Sequence, residues 1–226
     1  MEYHKIQSIF KREFDKNKRM KFWDWARPEF QYLQNNMWIF TEKIDGTNIR
    51  VSYNNSVKRI DGKTDNSQIP SNLYRKIEER LPIEKLCNVF DPYSEVSDRT
   101  VILYFEGYGV KIQKGGNYIP NDVDIILLDI KIGPWWLKRE DVGEIANELG
   151  VQIVPVVGVG DLHMMVDIVR SGFISKISHN REYVAEGIVA RPTIELKTRS
   201  GERIITKLKY LDFPVEERGT TSAQNT

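Results

Sequence analysis

The sequence is short of the residues that build disulfides and metal clusters. Cys87 is the only cysteine among 226 residues, so neither an intramolecular disulfide nor a cysteine metal cluster can form, which fits a reducing compartment. The three histidines, His4, His163 and His179, are not spaced as a metal site or a catalytic triad, and each reads as a surface or capping residue. No apolar run approaches the roughly 20 residues needed to cross a bilayer. Residues 1–20 are charged rather than apolar, so neither a signal peptide nor a membrane anchor is expected. Charge of one sign is not in excess either: 33 basic residues nearly balance 32 acidic ones. Any site for a polyanion must therefore come from local clustering, not from the overall field. A glycine-rich phosphate loop of the GxxxxGK[ST] type is also missing, and Gly115-Gly116 reads as a turn or loop. These absences describe an intracellular, cytoplasmic protein with no membrane contact.

What is present is enough for a core. Hydrophobic residues make up 40% and charged residues 29% of the chain, which suits one large domain or one domain with a small appendage. Near the start, Lys11, Arg12, Lys16, Lys18, Arg19 and Lys21 crowd together ahead of Trp23 and Trp25. That cluster is either a solvated helix face or a phosphate-contacting edge with stacking aromatics beside it. Asp24, Arg27 and Pro28 read as a loop.

Strands are expected at residues 37–41, 47–53 and 56–60, with Asn54-Asn55 as a hairpin turn, and again at 100–105 and 123–130. Helices are expected at 72–80, at 138–149 with a stop at Gly150, and at 161–170 with Asp161 as N-cap and a stop at Gly172. Further strands fall at 151–157, 185–191 and 203–210. Strands dominate and helices are few, so the fold class is α+β with antiparallel sheets flanked by helices. The expected organisation is a basic N-terminal segment at 1–36 packed on the core, a main domain at 37–213 and a polar, flexible tail at 214–226.

Several segments could carry chemistry. Lys43-Ile44-Asp45-Gly46 closes one apolar strand and precedes another, a position that suits an exposed nucleophile, with Gly46 permitting the bend. Such a motif arises by chance in roughly one chain of this length in twenty. A lysine amine attacks only when deprotonated, which desolvation or a neighbouring cation promotes. Glu106 ends one buried strand and Glu186 heads another. Lys207 and Lys209, two residues apart, share one strand face, where they repel each other unless an anion such as a triphosphate lies between them. Glu106 and Glu186 would balance them by holding Mg²⁺ or a sugar hydroxyl.

Taken in order, Lys43-x-Asp45-Gly46, Phe105-Glu106-Gly107, the segment 125–130, Glu186-Gly187-Ile188-Val189 and Lys207-x-Lys209 resemble the motif series of covalent nucleotidyltransferases, the DNA ligases, RNA ligases and mRNA capping enzymes. Glu42 before the lysine, Gly46-Thr47-Asn48 after it, Gly62-Lys63-Thr64-Asp65-Asn66, residues 104–118 and Ile132-Gly133-Pro134-Trp135-Trp136-Leu137 are similar to the RNA ligase branch. The likeness runs over about residues 41–213.

It implies an ATP-grasp-like nucleotidyltransferase domain that uses ATP with Mg²⁺ or Mn²⁺. By the same resemblance, Lys43 becomes lysyl-AMP, Glu42 contacts the adenine edge, Glu106 the ribose hydroxyls, and Asn48 sits beside the phosphate. Asp45, Gly46 and Lys63 also line the nucleotide site, Glu186 organises the catalytic metal, and Lys207 and Lys209 hold the phosphates. The implied partners are RNA 5′-phosphate and 3′-hydroxyl ends, with an end-healing enzyme left open as a further one.

The sequence departs from the family pattern in three ways. Lys63 stands where the family usually has an arginine, with Arg59 as the alternative if the turn register shifts. The segment 125–130 lacks an aromatic for stacking on the base, leaving Leu128, Ile126, Tyr108 or Trp135 to cover it. Only 17 residues follow Lys209, too few for an OB-fold or a helical C-terminal domain, so an RNA ligase of minimal build is expected, and its compact size suits a viral origin. A minimal ATP-dependent DNA ligase would use the same motifs. A nucleotide- or RNA-binding module without catalysis is the reading from another class, against which the intact Lys43, Glu106, Glu186, Lys207 and Lys209 stand.

Overall fold

The computed structural model describes residues 2–14, 18–91, 100–113 and 118–219. Lys16, the expected turn at Gly115-Gly116 and residues 220–226 of the expected tail lie outside the described residues.

In chain order the elements are β1 (Gln7–Ser8), β2 (Phe10–Arg12), β3 (Met20–Trp25), α1 (Pro28–Tyr32), β4 (Trp38–Lys43), β5 (Thr47–Asn54), β6 (Val57–Asp61), α2 (Ser71–Arg80), α3 (Ile83–Phe90), β7 (Val101–Gly109), β8 (Val123–Ile132) and β9 (Trp135–Trp136). They continue with α4 (Arg139–Leu149), β10 (Val156–Gly160), α5 (Leu162–Ser171), β11 (Gly187–Pro192) and β12 (Thr206–Lys209). The chain forms two compact units. The first comprises Met1–His4, Asp45–Val154 and Ser178–Asn180, and the second Lys5–Ile44, Pro155–Ile177 and Arg181–Thr226. This division differs from the expected one, because it cuts through the motif that begins at Lys43.

The first unit is an antiparallel sheet in the order β6-β5-β7-β8-β9. Alternate residues of its strands, among them Ile49, Val51, Leu103, Phe105, Ile125 and Leu127, face α2, α3 and α4 and form one core. The β5–β6 hairpin turns at Asn55 and Ser56, whose φ values of +46° and +60° are those of a type I′ turn. The turn is thus one residue later than the sequence suggests. Helix α4 stops at Gly150, whose left-handed φ of +66° is favourable only without a side chain.

The second unit is a five-stranded sheet in the order β1-β12-β11-β4-β10, antiparallel except for the β1–β12 pair, together with the β2–β3 ribbon. Trp38, Phe40, Ile188, Ala190 and Leu208 cover one sheet face and pack with Leu162, Met165, Val166 and Val169 of α5. The Asp161 carboxylate caps α5 by accepting from the Met164 N–H at 2.8 Å.

Four local expectations are corrected. The basic cluster is not a helix: Phe10 pairs with Trp25 and Arg12 with Met20 across a ribbon, a long-range pairing that local spacing does not reveal. Asp24 lies in β3, and Pro28, read as loop, opens α1, where its missing N–H costs nothing. The strand expected at 151–157 begins only at Val156. The tail expected to be loose from 214 starts with a 3-10 turn at Val215–Glu217. There the Gly219 N–H donates to the Arg170 carbonyl and the Gly219 carbonyl accepts from the Tyr210 hydroxyl, both at 3.0 Å.

Candidate active site

Lys43 is the last residue of β4, and pleating puts it on the sheet face opposite Phe40 and Glu42. Gly187 of β11 pairs with Lys43 on one side and with Lys209 of β12 on the other. Two strand spacings separate the lysines, roughly 10 Å between backbones, and Glu186 fills the interval. Its Oε2 accepts from Lys43 Nζ at 2.5 Å and its Oε1 from Lys209 Nζ at 2.6 Å. The carboxylate is the anion that the lysine spacing calls for, supplied by the chain itself. Gly187 makes the arrangement possible: a Cβ there would meet the Leu208 carbonyl oxygen at 2.1 Å, and its φ of +152° disfavours any side chain.

Lys207 faces the same side two residues earlier, partly buried. Its pKa is lowered, first by burial and then by the Lys43 and Lys209 charges, against raising contributions from Glu186 and Asp212. Asp212 holds the end of β12, accepting from the Lys209 backbone N–H at 3.0 Å and from Arg12 at 2.5 Å. Four of the expected residues, Lys43, Glu186, Lys207 and Lys209, therefore share one patch of one unit.

Glu42 is placed differently. It is 1% exposed and accepts from the Ser175 hydroxyl at 2.5 Å and the Lys176 N–H at 2.8 Å, both in the second unit. Burial raises its pKa against the lowering effect of those two bonds. Its carboxylate lies on the face opposite Lys43, and both of its oxygens hold the 175–176 segment. Ser175 carries no sequence signal of its own, since a serine amid Ile174 and Lys176 belongs to no motif.

The first unit carries the remaining expected residues. The Asp45 N–H donates to the hydroxyl of Tyr118 at 3.2 Å, and buried Tyr118 meets Tyr108 edge-on at 5.7 Å. Gly46 is required by close approach, not by a bend: a Cβ would lie 2.3 Å from the Gly107 carbonyl oxygen and 2.9 Å from Glu106 Cγ. Asn48 and Glu106 are cross-strand partners on the sheet face away from the core, with Ile126 beside Glu106 on β8. The Asn48 Oδ1 is buried without a hydrogen-bond partner, a cost relieved only by an incoming donor.

Of the residues expected to cover a base, Ile126 and Tyr108 are buried, whereas Trp135 is 63% exposed on edge strand β9. Lys63 and Arg59 are not the arginine that organises the Gly62–Ser67 turn. Lys63 is exposed and Arg59 pairs with Asp61 at 2.8 Å. Arg50, 2% exposed, donates to the Gly62 carbonyl at 2.9 Å and to Asp65 at 2.7 Å. Its mid-strand position hid it among alternating residues.

Among the described residues no group of three or more His, Cys, Asp or Glu side chains is arranged to hold a metal ion. Glu186 is the carboxylate of the lysine patch. The donor set therefore fits a divalent ion that brings phosphate and water oxygens with it, as Mg²⁺ commonly does, better than a cage made by the protein.

The RNA ligase family model matches residues 36–209. No curated protein matches the chain. Among solved structures, a variant of Naegleria gruberi RNA ligase with AMP and Mn matches at TM-score 0.65 and 14% identity, covering 92% of this chain and 56% of that one. Another with ATP and Mn matches at TM-score 0.65 and 15% identity, with the same coverage of 92% and 56%. An apo variant matches at TM-score 0.60 and 16% identity, covering 80% and 51%. The chain thus spans little more than half the length of these enzymes, and at such identity the likeness carries the fold. With the family match running through every motif from Lys43 to Lys209, the chain belongs to the RNA ligase family.

Proposed function

We propose that this chain is an ATP-dependent RNA ligase built on an ATP-grasp-like nucleotidyltransferase domain. The observation that carries the reading is the Glu186 carboxylate shared between Lys43 and Lys209, with Lys207 beside them. A lysine amine at the end of a strand, flanked by two further cations, is matched to a triphosphate. In the first step Lys43 Nζ, having given up its proton, attacks the α-phosphorus of ATP. A phosphoramide bond forms, the bond to the leaving pyrophosphate breaks, and Lys207 and Lys209 stabilise its charge. AMP then passes to an RNA 5′-phosphate, releasing Lys43, and a 3′-hydroxyl attacks that activated phosphate and expels AMP. A bound Mg²⁺ or Mn²⁺ would neutralise phosphate charge, with Glu186 as the carboxylate that holds it.

Glu106 is assigned the ribose hydroxyls and Asn48 a place beside the phosphate, where a phosphate-bound water would supply the donor that its buried Oδ1 lacks. Asp45 and Gly46 fix the backbone after the nucleophile. Lys63, exposed on the turn that Arg50 holds, is assigned a point-charge contact to phosphate. Glu42 is assigned the adenine edge, and it also holds Ser175 and Lys176. Because sealing needs a 5′-phosphate and a 3′-hydroxyl, a reaction that heals RNA ends to these groups must supply the substrate, and ATP with broken RNA places the work inside a cell.

Incubation with Mg²⁺ and α-labelled ATP, followed by denaturing gel and intact mass, tests the first step. A covalent adduct of about 329 Da is expected, absent from Lys43→Ala. Sealing of nicked RNA by Lys43→Ala protein would overturn the assignment, and faster sealing of DNA than RNA would favour the DNA ligase reading.

A further inference from the structure

Trp23 stands apart from the lysine patch and has no part in the chemistry above. It lies in β3, where burial alternates from Met20 (buried) through Lys21 (exposed) and Phe22 (half-buried) to Trp23 (exposed), and then fails because Asp24 is exposed too. The break coincides with a left-handed backbone at Trp23, φ +69°, and with an irregular register between β2 and β3. Irregularities of this kind re-aim a side chain, and a left-handed conformation costs a bulky residue roughly 1–2 kcal/mol relative to its ordinary one. Glycine would relieve that strain, yet the position holds the largest side chain available.

The indole so turned outward is 52% exposed and has firm support. It stacks on His163 of α5 at 5.3 Å and 22° between planes, and meets Phe10 edge-on at 5.4 Å and Trp25 at 6.4 Å. His163 in turn is held by Gln34 at 3.1 Å. Around this supported ring the ribbon presents cations: Arg19 and Lys21 are exposed, while Lys11 is bound to Asp24 at 2.7 Å and Arg12 to Asp212. A rigid aromatic face bordered by solvated positive charge matches the two demands of a single strand, a flat base to stack and a phosphate backbone to attract.

We propose that Trp23 is a nucleobase-stacking platform that, with Lys21 and Arg19, binds a single-stranded segment of the RNA being sealed. This rests on the reading of the chain as an RNA ligase, but it assigns substrate grip to the β2–β3 ribbon. Stacking accounts for tolerance of base identity, and the lysine and arginine contacts account for salt sensitivity.

The test measures binding of a fluorescent, 5′-phosphorylated single-stranded oligoribonucleotide to the full chain at two salt concentrations. Trp23→Ala is expected to weaken binding about tenfold, Trp23→Phe to keep most of it, and Lys21→Ala to lower the salt slope by about one. Self-adenylylation, which involves no RNA, is measured on the same proteins as a readout of folding. Unchanged affinity in a Trp23→Ala protein that still adenylylates would overturn the platform while leaving the ligase reading intact. Equal weakening in Trp23→Phe and Trp23→Ala would overturn it as well, since a retained ring would then be worth nothing. If no protein adenylylates, the ligase reading falls, and a Trp23-dependent affinity would still establish the platform. Tighter binding to a duplex than to a single strand, with no dependence on Trp23, would assign the basic ribbon to another geometry and sink the stacking role.

Discussion

Lys207 is the residue whose environment departs furthest from that of an ordinary lysine in the patch. Burial, Lys43 and Lys209 all disfavour its charged form, so as pH rises it becomes neutral before an unperturbed lysine at 10.5 would. A neutral amine no longer attracts a phosphate, and the KM for ATP in self-adenylylation should climb at alkaline pH below 10.5. Arginine keeps its charge throughout. The ratio of KM at pH 9.5 to KM at pH 7 is therefore expected to be smaller in Lys207→Arg than in wild type, and equal ratios would remove Lys207 from phosphate binding. Glu42 makes a prediction of opposite character. Its pKa is raised by burial, so between the ordinary value of 4.5 and the folded one the folded state binds more protons than the unfolded. Stability must then fall as pH rises through that window. Gln at this position can accept from the Lys176 N–H and donate to the Ser175 hydroxyl oxygen, with no proton to lose, so the urea midpoint of Glu42→Gln should decline less between pH 5 and pH 8 than that of wild type. That Lys43, Glu186, Lys207 and Lys209 share one patch was legible because motif order and two-residue spacing survive in sequence. The bonds from Ser175 and Lys176 to Glu42 were not legible, because adjacency to Lys43 along the chain means opposition across the sheet.

The β11–β12 pair is the element on which the patch depends, since it holds Glu186, Lys207 and Lys209 in register through Gly187. Replacing Gly187 by Ala drives a methyl onto the Leu208 carbonyl, with 2.1 Å available. The strands must part or Glu186 must shift. A loss of about 2 kcal/mol, seen as a Tm lower by about 4–8 °C for a chain of this size, is expected together with adenylylation slowed by tenfold or more, about what a misplaced reacting group costs. Gly201→Ala is the control: its φ is +84° but nothing lies within 4 Å, so only backbone strain is added and the rate should hold. An adenylylation rate for Gly187→Ala equal to that of Gly201→Ala would mean the carboxylate's placement is not what Gly187 protects. Elements with clear punctuation were readable in advance, such as α4 ending at Gly150 and α5 beginning at Asp161. Helix α3 was not, because Pro82 precedes it without a side-chain cap and its eight residues follow α2 with almost no polar break. The β2–β3 ribbon was missed for another reason: its pairing joins residues 8 and 15 apart, and a charge cluster looks the same on a helix face as on a ribbon.

At the scale of the whole chain, the two units are not successive domains. The chain passes from one to the other after His4, Ile44, Val154, Ile177 and Asn180, so the core under α2 to α4 comes from one continuous stretch, Ile49 to Ile153, whereas the core under α5 joins segments from both sides of it. The second core cannot complete itself before the first unit's stretch is made, and the pairing of β4 with β10 fixes both ends of that stretch, which predicts one cooperative thermal transition. Nucleotide binding should raise that transition by mass action. At an ATP concentration 100 times its Kd the folded state gains about 2.7 kcal/mol, equivalent to roughly 5–11 °C for a chain of this length. Glu106→Ala and Lys209→Ala, both at residues proposed to serve the nucleotide, should each shrink the ATP-induced rise. Chelating divalent ions should shrink it in wild type as well and abolish the lysyl-AMP adduct, because the described residues offer no group of three acidic, histidine or cysteine ligands that could retain a metal without the phosphates. A rise lost in Lys209→Ala and untouched in Glu106→Ala would confine nucleotide recognition to the lysine patch. It would leave Glu106 and its cross-strand partner Asn48 to another part of the reaction, in which the RNA end is the natural occupant.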